Sequence, residues 1–367
     1  MRHFLLHLFI ILCTILTPKG IKAFVRSNIG EMPTIEYEAI YQFGDSLSDT
    51  GNIIRERNGH GLSYARLPYG RTFFHRATGR CSDGLLMVDY FAMFFHLPLL
   101  NPILARGSNF RYGANFAVAG ATALDPTTLA AVNVTSPVTL SSLSTQIHWF
   151  KSHLTSVCHS PSDCKRRVEK SLVLMGEIGG NDYNFAFFQN RTMREVYALV
   201  PQVVQAIKDS VQEIIKLGAM NIVVPGNFPI GCVPIYLDQF KTNDTSKYDE
   251  LNCLKEYNEF SRLHNARLIE AIQDLQDQYP RVTIAYADYY SALKWVVTSA
   301  PALGFGKDGW KKACCAQDVA CCTNPSKRVN WDGIHMTQAG NKYVAEWLLR
   351  HFVPILQQRP RQQHVHG

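Results

Sequence analysis

Ala39-Ile40-Tyr41-Gln42-Phe43, followed directly by Gly44-Asp45-Ser46-Leu47-Ser48-Asp49-Thr50-Gly51-Asn52, is the stretch on which the fold turns. Five apolar or aromatic-rich residues that end in Gly-Asp-Ser have the pattern of a buried strand running into a tight turn. In an open parallel sheet, ligands bind at the carboxyl ends of the strands. A serine delivered there can present its hydroxyl, and the turn's backbone N–H groups, to a substrate carbonyl. Ser46 is therefore a candidate nucleophile. The same residue types also cap helices, so the stretch gains its meaning from what lies elsewhere in the chain.

Trp331-Asp332-Gly333-Ile334-His335 supplies the complement, a carboxylate and an imidazole three positions apart with a Gly-Ile step between them. A tight turn there lets Asp332 hold one ring nitrogen of His335 while the other faces Ser46. Two further segments place chemistry at strand ends. Gly179-Gly180-Asn181-Asp182 follows the apolar run Ser171-Leu172-Val173-Leu174-Met175, and Ala117-Val118-Ala119-Gly120-Ala121-Thr122 closes a small-residue stretch. Taken singly, each has the composition of an ordinary turn or of close strand packing. All four fall where a parallel sheet collects them along one rim.

The remaining pattern supports that sheet. Apolar runs at Asn221–Pro225 and Arg281–Tyr286 predict two more strands, and Phe110–Ala117 a fifth. Between them, Met193–Leu217 and Leu251–Gln278 carry apolar residues every three or four positions, and Thr337 is placed to cap a closing helix over Gln338–His351. Strands alternating with helices predict a three-layer α/β/α sandwich on a mostly parallel, flavodoxin-like sheet. The expected organisation is a leader over 1–23, one domain over 24–356 and a polar tail over 357–367.

The leader expectation rests on Met1-Arg2-His3 followed by an apolar run from Phe4 to Thr17, with cleavage near Ala23. That run is too short to span a bilayer comfortably. The chain is thus expected to be secreted, or to reach another secretory compartment such as a vacuole, with no stable membrane insertion. Sequons at Asn133, Asn190 and Asn243 fit that route. Lys plus Arg exceed Asp plus Glu, 37 against 30, but the basic residues are dispersed and Lys165-Arg166-Arg167 is the one tight run. No basic stripe interleaves with aromatics, which excludes a nucleic-acid partner from the reading.

Ten cysteines are present, and loss of Cys13 with the leader leaves an odd number. Proximity pairs Cys158 with Cys164 and Cys232 with Cys253, whereas Cys314, Cys315, Cys321 and Cys322 allow several pairings. A zinc site at those four is disfavoured, since adjacent cysteines rarely face one tetrahedral ion and the route is oxidising. No metal or cofactor is expected. The sequence also lacks a Gly-x-Ser-x-Gly elbow, a His-Glu-x-x-His helix and a phosphate-cradling loop.

With these motifs in place, the chain resembles the plant GDSL esterase/lipase family of SGNH hydrolases. Pro68-Tyr69-Gly70-Arg71-Thr72-Phe73-Phe74, Thr78-Gly79-Arg80-Cys81-Ser82-Asp83-Gly84 and Gly226-Asn227-Phe228-Pro229-Ile230-Gly231-Cys232 extend the likeness from about Glu38 to Leu349. Asn115 to Asp125 is similar in particular to members of the acetylajmalan esterase type. The resemblance implies the SGNH hydrolase fold, Ser46 as nucleophile, Asp332 and His335 completing a triad, and the Ser46 and Gly120 N–H groups with the Asn181 side chain as oxyanion donors. It implies a small-molecule ester as substrate, with hydrolysis, lipid breakdown or small acyl esters of specialised metabolites as the range. Acyl transfer from the same intermediate, or a binding protein that kept the fold, are the alternatives. One departure is Lys312–Asn324, which is much shorter than the Cys- and Gly-rich loop the family carries before its Asp-x-x-His block.

Overall fold

The computed structural model describes residues 35–306, 308–315 and 320–358. The expected leader and nearly all of the polar tail lie outside these residues. Five parallel strands, β1 (Ala39–Gln42), β2 (Gly113–Asn115), β3 (Ser171–Leu174), β4 (Asn221–Pro225) and β5 (Thr283–Ala287), form one sheet in the order β2-β1-β3-β4-β5. This is the doubly wound order, in which the crossover direction reverses beside β1 and opens a crevice at the strands' carboxyl ends.

The helices are α1 (Met87–Phe94), α2 (Pro126–Ala131), α3 (Leu143–Val157), α4 (Pro161–Glu169), α5 (Gly180–Phe188), α6 (Met193–Lys216), α7 (Pro234–Gln239), α8 (Lys255–Gln278), α9 (Tyr289–Thr298) and α10 (Gln338–Leu356). Because side chains alternate across a strand, each strand feeds both faces. Tyr41, Val173, Ile222, Val224 and Ile284 point into a core shared with α3, α6 and α8. Ile40, Leu172, Leu174, Val223 and Ala285 point into a second core shared with α1, α9 and α10. The expected three layers are present.

Local chemistry sets the boundaries. Thr192 accepts from the Glu195 amide while Glu195 reaches back to the Thr192 amide, a capping box that starts α6. Thr337 caps α10 by accepting from Gly340 N. That helix runs past the expected His351 to Leu356, across Pro354. β2 keeps only Gly113–Asn115 of the expected Phe110–Ala117, because Asn115 Oδ1 turns the chain by taking the Ala117 amide at 2.9 Å. β5 begins later than expected, since the Val282 amide closes a turn onto the Tyr279 carbonyl.

The expected disulfides Cys158–Cys164 and Cys232–Cys253 are formed. The last four cysteines pair as nested bridges, Cys314–Cys322 and Cys315–Cys321, and Cys81 is the free buried cysteine among the described residues. No helix among the described residues is long and apolar enough to cross a membrane.

Candidate active site

β1 ends at the turn that carries Ser46. Gly44 adopts φ +126°, and a Cβ there would meet the Glu177 carbonyl and Gly176 Cα at 3.0 Å, so only glycine lets the turn lie this close to the end of β3. The turn is then fixed from inside. Asp49 Oδ1 accepts from Gly51 N and Asn52 N, and Oδ2 accepts from Ile53 N and, at 2.9 Å, from Ala119 N. Asn52 donates to the Asn115 and Ala117 carbonyls, and Asn115 Nδ2 returns a bond to Ser48 O at 2.7 Å. The Ser46 and Gly120 segments are therefore one braced unit. Burial pushes the Asp49 carboxyl up to about 6, against the pull of its four amide donors.

The opposite side is delivered by the turn after Trp331. Gly333 takes φ +98°, which folds His335 back over Asp332. His335 Nδ1 lies 2.7 Å from Asp332 Oδ2 and His335 Nε2 lies 2.7 Å from Ser46 Oγ. Asp332 Oδ1 accepts from the Ile334 and His335 amides. All three side chains are almost wholly withdrawn from solvent. Burial acts to lower the imidazole's pKa, but the Asp332 charge and hydrogen bond, with Asp45 beyond, overcome it and leave His335 above its ordinary value. Burial likewise raises Asp332, and the facing imidazole outweighs it and holds that carboxyl below its ordinary value. A hydroxyl, an imidazole and a carboxylate in unbroken hydrogen-bond contact can activate the hydroxyl as a nucleophile by proton transfer.

A cleft of about 60 Å³ opens beside Ser46 and is lined chiefly by Asn181, Asn184, Phe228, Val233, Tyr236 and Ile334. That is room on the order of four waters. Gly180 opens α5 and Asn181 sits in its first turn, so the double glycine serves a helix start as well as a turn. Asn181 Nδ2 donates to Asp45 Oδ2 at 2.9 Å and to Ala121 O at 3.0 Å. Both of its amide hydrogens thus have partners within the protein, and donation to a substrate oxygen requires one of them to be released. Gly120, φ +84°, lies outside the cleft lining beneath Val138, whose Cβ would be 2.5 Å from a Cβ built on the glycine. The Val138 loop is held by Thr139 and Ser141 hydroxyls on the Glu56 carboxylate.

Sequence reasoning assigned no role to several residues at this rim. Tyr69 donates its hydroxyl to Asp332 Oδ2 at 2.9 Å. Glu177, which accepts from Gly180 N, is buried against Asp45. Burial, then the Asp45 charge, pushes the Glu177 carboxyl well above its ordinary value, and burial raises Asp45 as well. Asn184 joins Tyr236 Oη, 2.7 Å away, to Asn181. The available signal was position, since Glu177 lies between β3 and Asn181 and Tyr69 lies in one of the segments that carry the resemblance.

A family model described as GDSL-like lipase/acylhydrolase matches residues 40–348. The chain belongs to that family. Acetylajmalan esterase 1 from Rauvolfia serpentina is 42% identical over 85% of this chain and 86% of its own length. A GDSL esterase/lipase from Arabidopsis thaliana is 43% identical over 86% of this chain and 82% of its own. Among solved structures, phospholipase A1 from Streptomyces albidoflavus NA297 aligns over 87% of this chain and 98% of its own at 12% identity, with a TM-score of 0.37, a distance at which nothing about substrate transfers. This GDSL-family chain is accordingly a carboxylic ester hydrolase.

The three sequons are exposed at Asn133, Asn190 and Asn243. Cys314 N bonds Asn330 O and Cys315 N bonds Trp331 O, so the doubly bridged loop is laid against the residues immediately preceding Asp332.

Proposed function

We propose that this protein is a secreted esterase of one hydrolase domain, 24–356, that cleaves small acyl esters through an acyl-enzyme on Ser46. Ser46 Oγ attacks the ester carbonyl as His335 Nε2 takes its proton. Collapse of the tetrahedral intermediate breaks the ester C–O bond, and the leaving alcohol receives that proton. Water then attacks the acyl carbon, with His335 again accepting and returning a proton, and frees the acid. Asp332 keeps the imidazole in the tautomer whose Nε2 is free to accept. The amides of Ser46 and Gly120 and the Asn181 side chain, once it releases Asp45, are the oxyanion donors.

The contact that carries this reading is the pair of 2.7 Å bonds linking Ser46, His335 and Asp332. The small apolar cleft beside Ser46 and the likeness to acetylajmalan esterases favour short acyl groups on alcohols of specialised metabolites. Secretion is supported by the leader pattern, the bridged cysteines and the exposed sequons, which are the proposed glycan sites. Glycosylated protein treated with a serine-directed phosphonate and mapped by mass spectrometry tests the mechanism, with one adduct expected on Ser46. A panel of p-nitrophenyl esters of rising chain length tests the acyl preference, and a competing alcohol distinguishes transfer from hydrolysis.

A further inference from the structure

Resting on the acyl-enzyme reading, we propose that Tyr69 is a positioning residue that sets the basicity of His335 through Asp332. The Asp332 carboxylate takes three of its hydrogen bonds from its own turn, the Ile334 amide, the His335 amide and His335 Nδ1. The fourth is the Tyr69 hydroxyl, from a residue 263 positions away, and it falls on Oδ2, the same oxygen that faces the imidazole. Two donors therefore share one oxygen. Charge that Asp332 gives to the phenol is charge it withholds from His335, so the phenol stabilises the carboxylate alone and weakens its hold on a protonated imidazole.

The phenol is built to stay in place. Tyr69 is buried, its ring meets Trp331 edge-on at 5.8 Å and Tyr64 at 5.3 Å, and Tyr64 in turn stands edge-on to His335 at 6.1 Å. Arg71 covers the Trp331 ring and bonds Cys322 O at 2.7 Å, which ties the Tyr69 segment to the bridged loop beside Asp332. Burial and then the Asp332 charge raise the Tyr69 phenol, so it remains a donor across the working pH range. The other titratable groups around His335 and Asp332 come from several elements. They are Asp45 and Asp49 on the β1 turn, Glu177 behind Asp45, Tyr64 on the loop after that turn, and Cys81 ahead of α1. Of these, none makes a hydrogen bond to Asp332 among the described residues.

The sign follows. Removing the hydroxyl leaves Asp332 a stronger partner for imidazolium, so the pKa of His335 rises and the enzyme needs a higher pH to hold its base neutral. Tyr69→Phe keeps the ring and its edge contacts. We expect the acidic limb of the kcat/KM profile to move up by about one pH unit, with activity at the alkaline plateau lowered about tenfold or less. In an Asp332→Asn background the same change is expected to have little further effect. An acidic limb that stays in place or moves down, or a Tyr69→Phe loss of equal size in both backgrounds, overturns the proposal. Titration of active sites with the phosphonate corrects each rate for folded protein, and Tyr69→Trp, which fills the space without a phenol, serves if Tyr69→Phe is poorly folded. Absence of any adduct on Ser46 in the parent protein would defeat the acyl-enzyme reading itself, whereas a labelled Ser46 with an unmoved limb defeats only the role of Tyr69.

Discussion

Ser46 and His335 meet in one hydrogen bond, yet they are delivered by differently built regions. The Ser46 side is held by buried side chains that satisfy main-chain groups. Asp49 gathers four main-chain amides, Asn52 and Asn115 bond main-chain carbonyls, and Asp182 takes the Ala123 and Leu124 amides at 2.8 and 2.9 Å. The His335 turn has the Ile334 and His335 amides on Asp332 and Trp331 N on the His335 carbonyl, and to these it adds contacts from outside, through Tyr69 on Asp332, Arg71 on Trp331 and the bridged cysteines against Asn330 and Trp331. Buried backbone groups cannot go unpaired without large cost, so the first region is tied to the integrity of the fold. The second can lose a contact and keep the fold, which leaves it free to tune chemistry.

The difference has consequences at several magnitudes. Ser46→Ala and His335→Ala should each lower kcat by on the order of 10⁴ or more while leaving the melting temperature close to that of the parent, as measured by ester hydrolysis beside calorimetry. A large fall in melting temperature for His335→Ala would mean that its turn is as structural as the Ser46 turn. Asn181→Ala should cost on the order of 10² to 10³ in kcat if its amide reaches the oxyanion. A change confined to stability would mean that its bonds to Asp45 and Ala121 are its whole role.

Asp49→Asn turns one of two fully used carboxylate oxygens into a donor facing donors, and should cost about 3 kcal/mol of stability, roughly a hundredfold in the folding equilibrium, with activity lost in proportion to unfolded protein. Denaturant unfolding checks this, and a stable but inactive variant would contradict the division between the two regions.

A further effect is in pH. Burial raises Asp182 to about 7, so the stability it contributes is complete below its unfolded value near 4 and is lost as pH rises through about 7. His335, raised above its ordinary value, must lose its proton to act, so activity climbs as stability declines. Melting temperatures falling between pH 4 and 8, beside a rising kcat/KM, are the expected pair, and parallel trends would contradict it.

Much of this was legible from residue pattern alone. β4 fell where its apolar run predicts, β1 and β3 ended one residue short, and the Thr337 cap was placed by hydroxyl chemistry. The Gly-Ile step between Asp332 and His335 correctly implied a turn that folds the ring onto the carboxylate. What could not be read were bonds between distant side chains. Periodicity reports burial, not partners, so nothing in the order of residues joins Tyr69 to Asp332 or Glu177 to Asp45. The double engagement of Asn181 was hidden for the same reason, since a buried amide beside two acceptors is fixed by packing that only the folded chain creates.

The acyl-enzyme itself offers the most direct test. Protein mixed with p-nitrophenyl acetate, quenched in acid within the first turnover and digested, should yield the peptide that contains Ser46 carrying one acetyl group, and that species should be absent from Ser46→Ala. Steady release of acetate with the acetyl group found on another residue, or on none in repeated early quenches, would contradict the central claim.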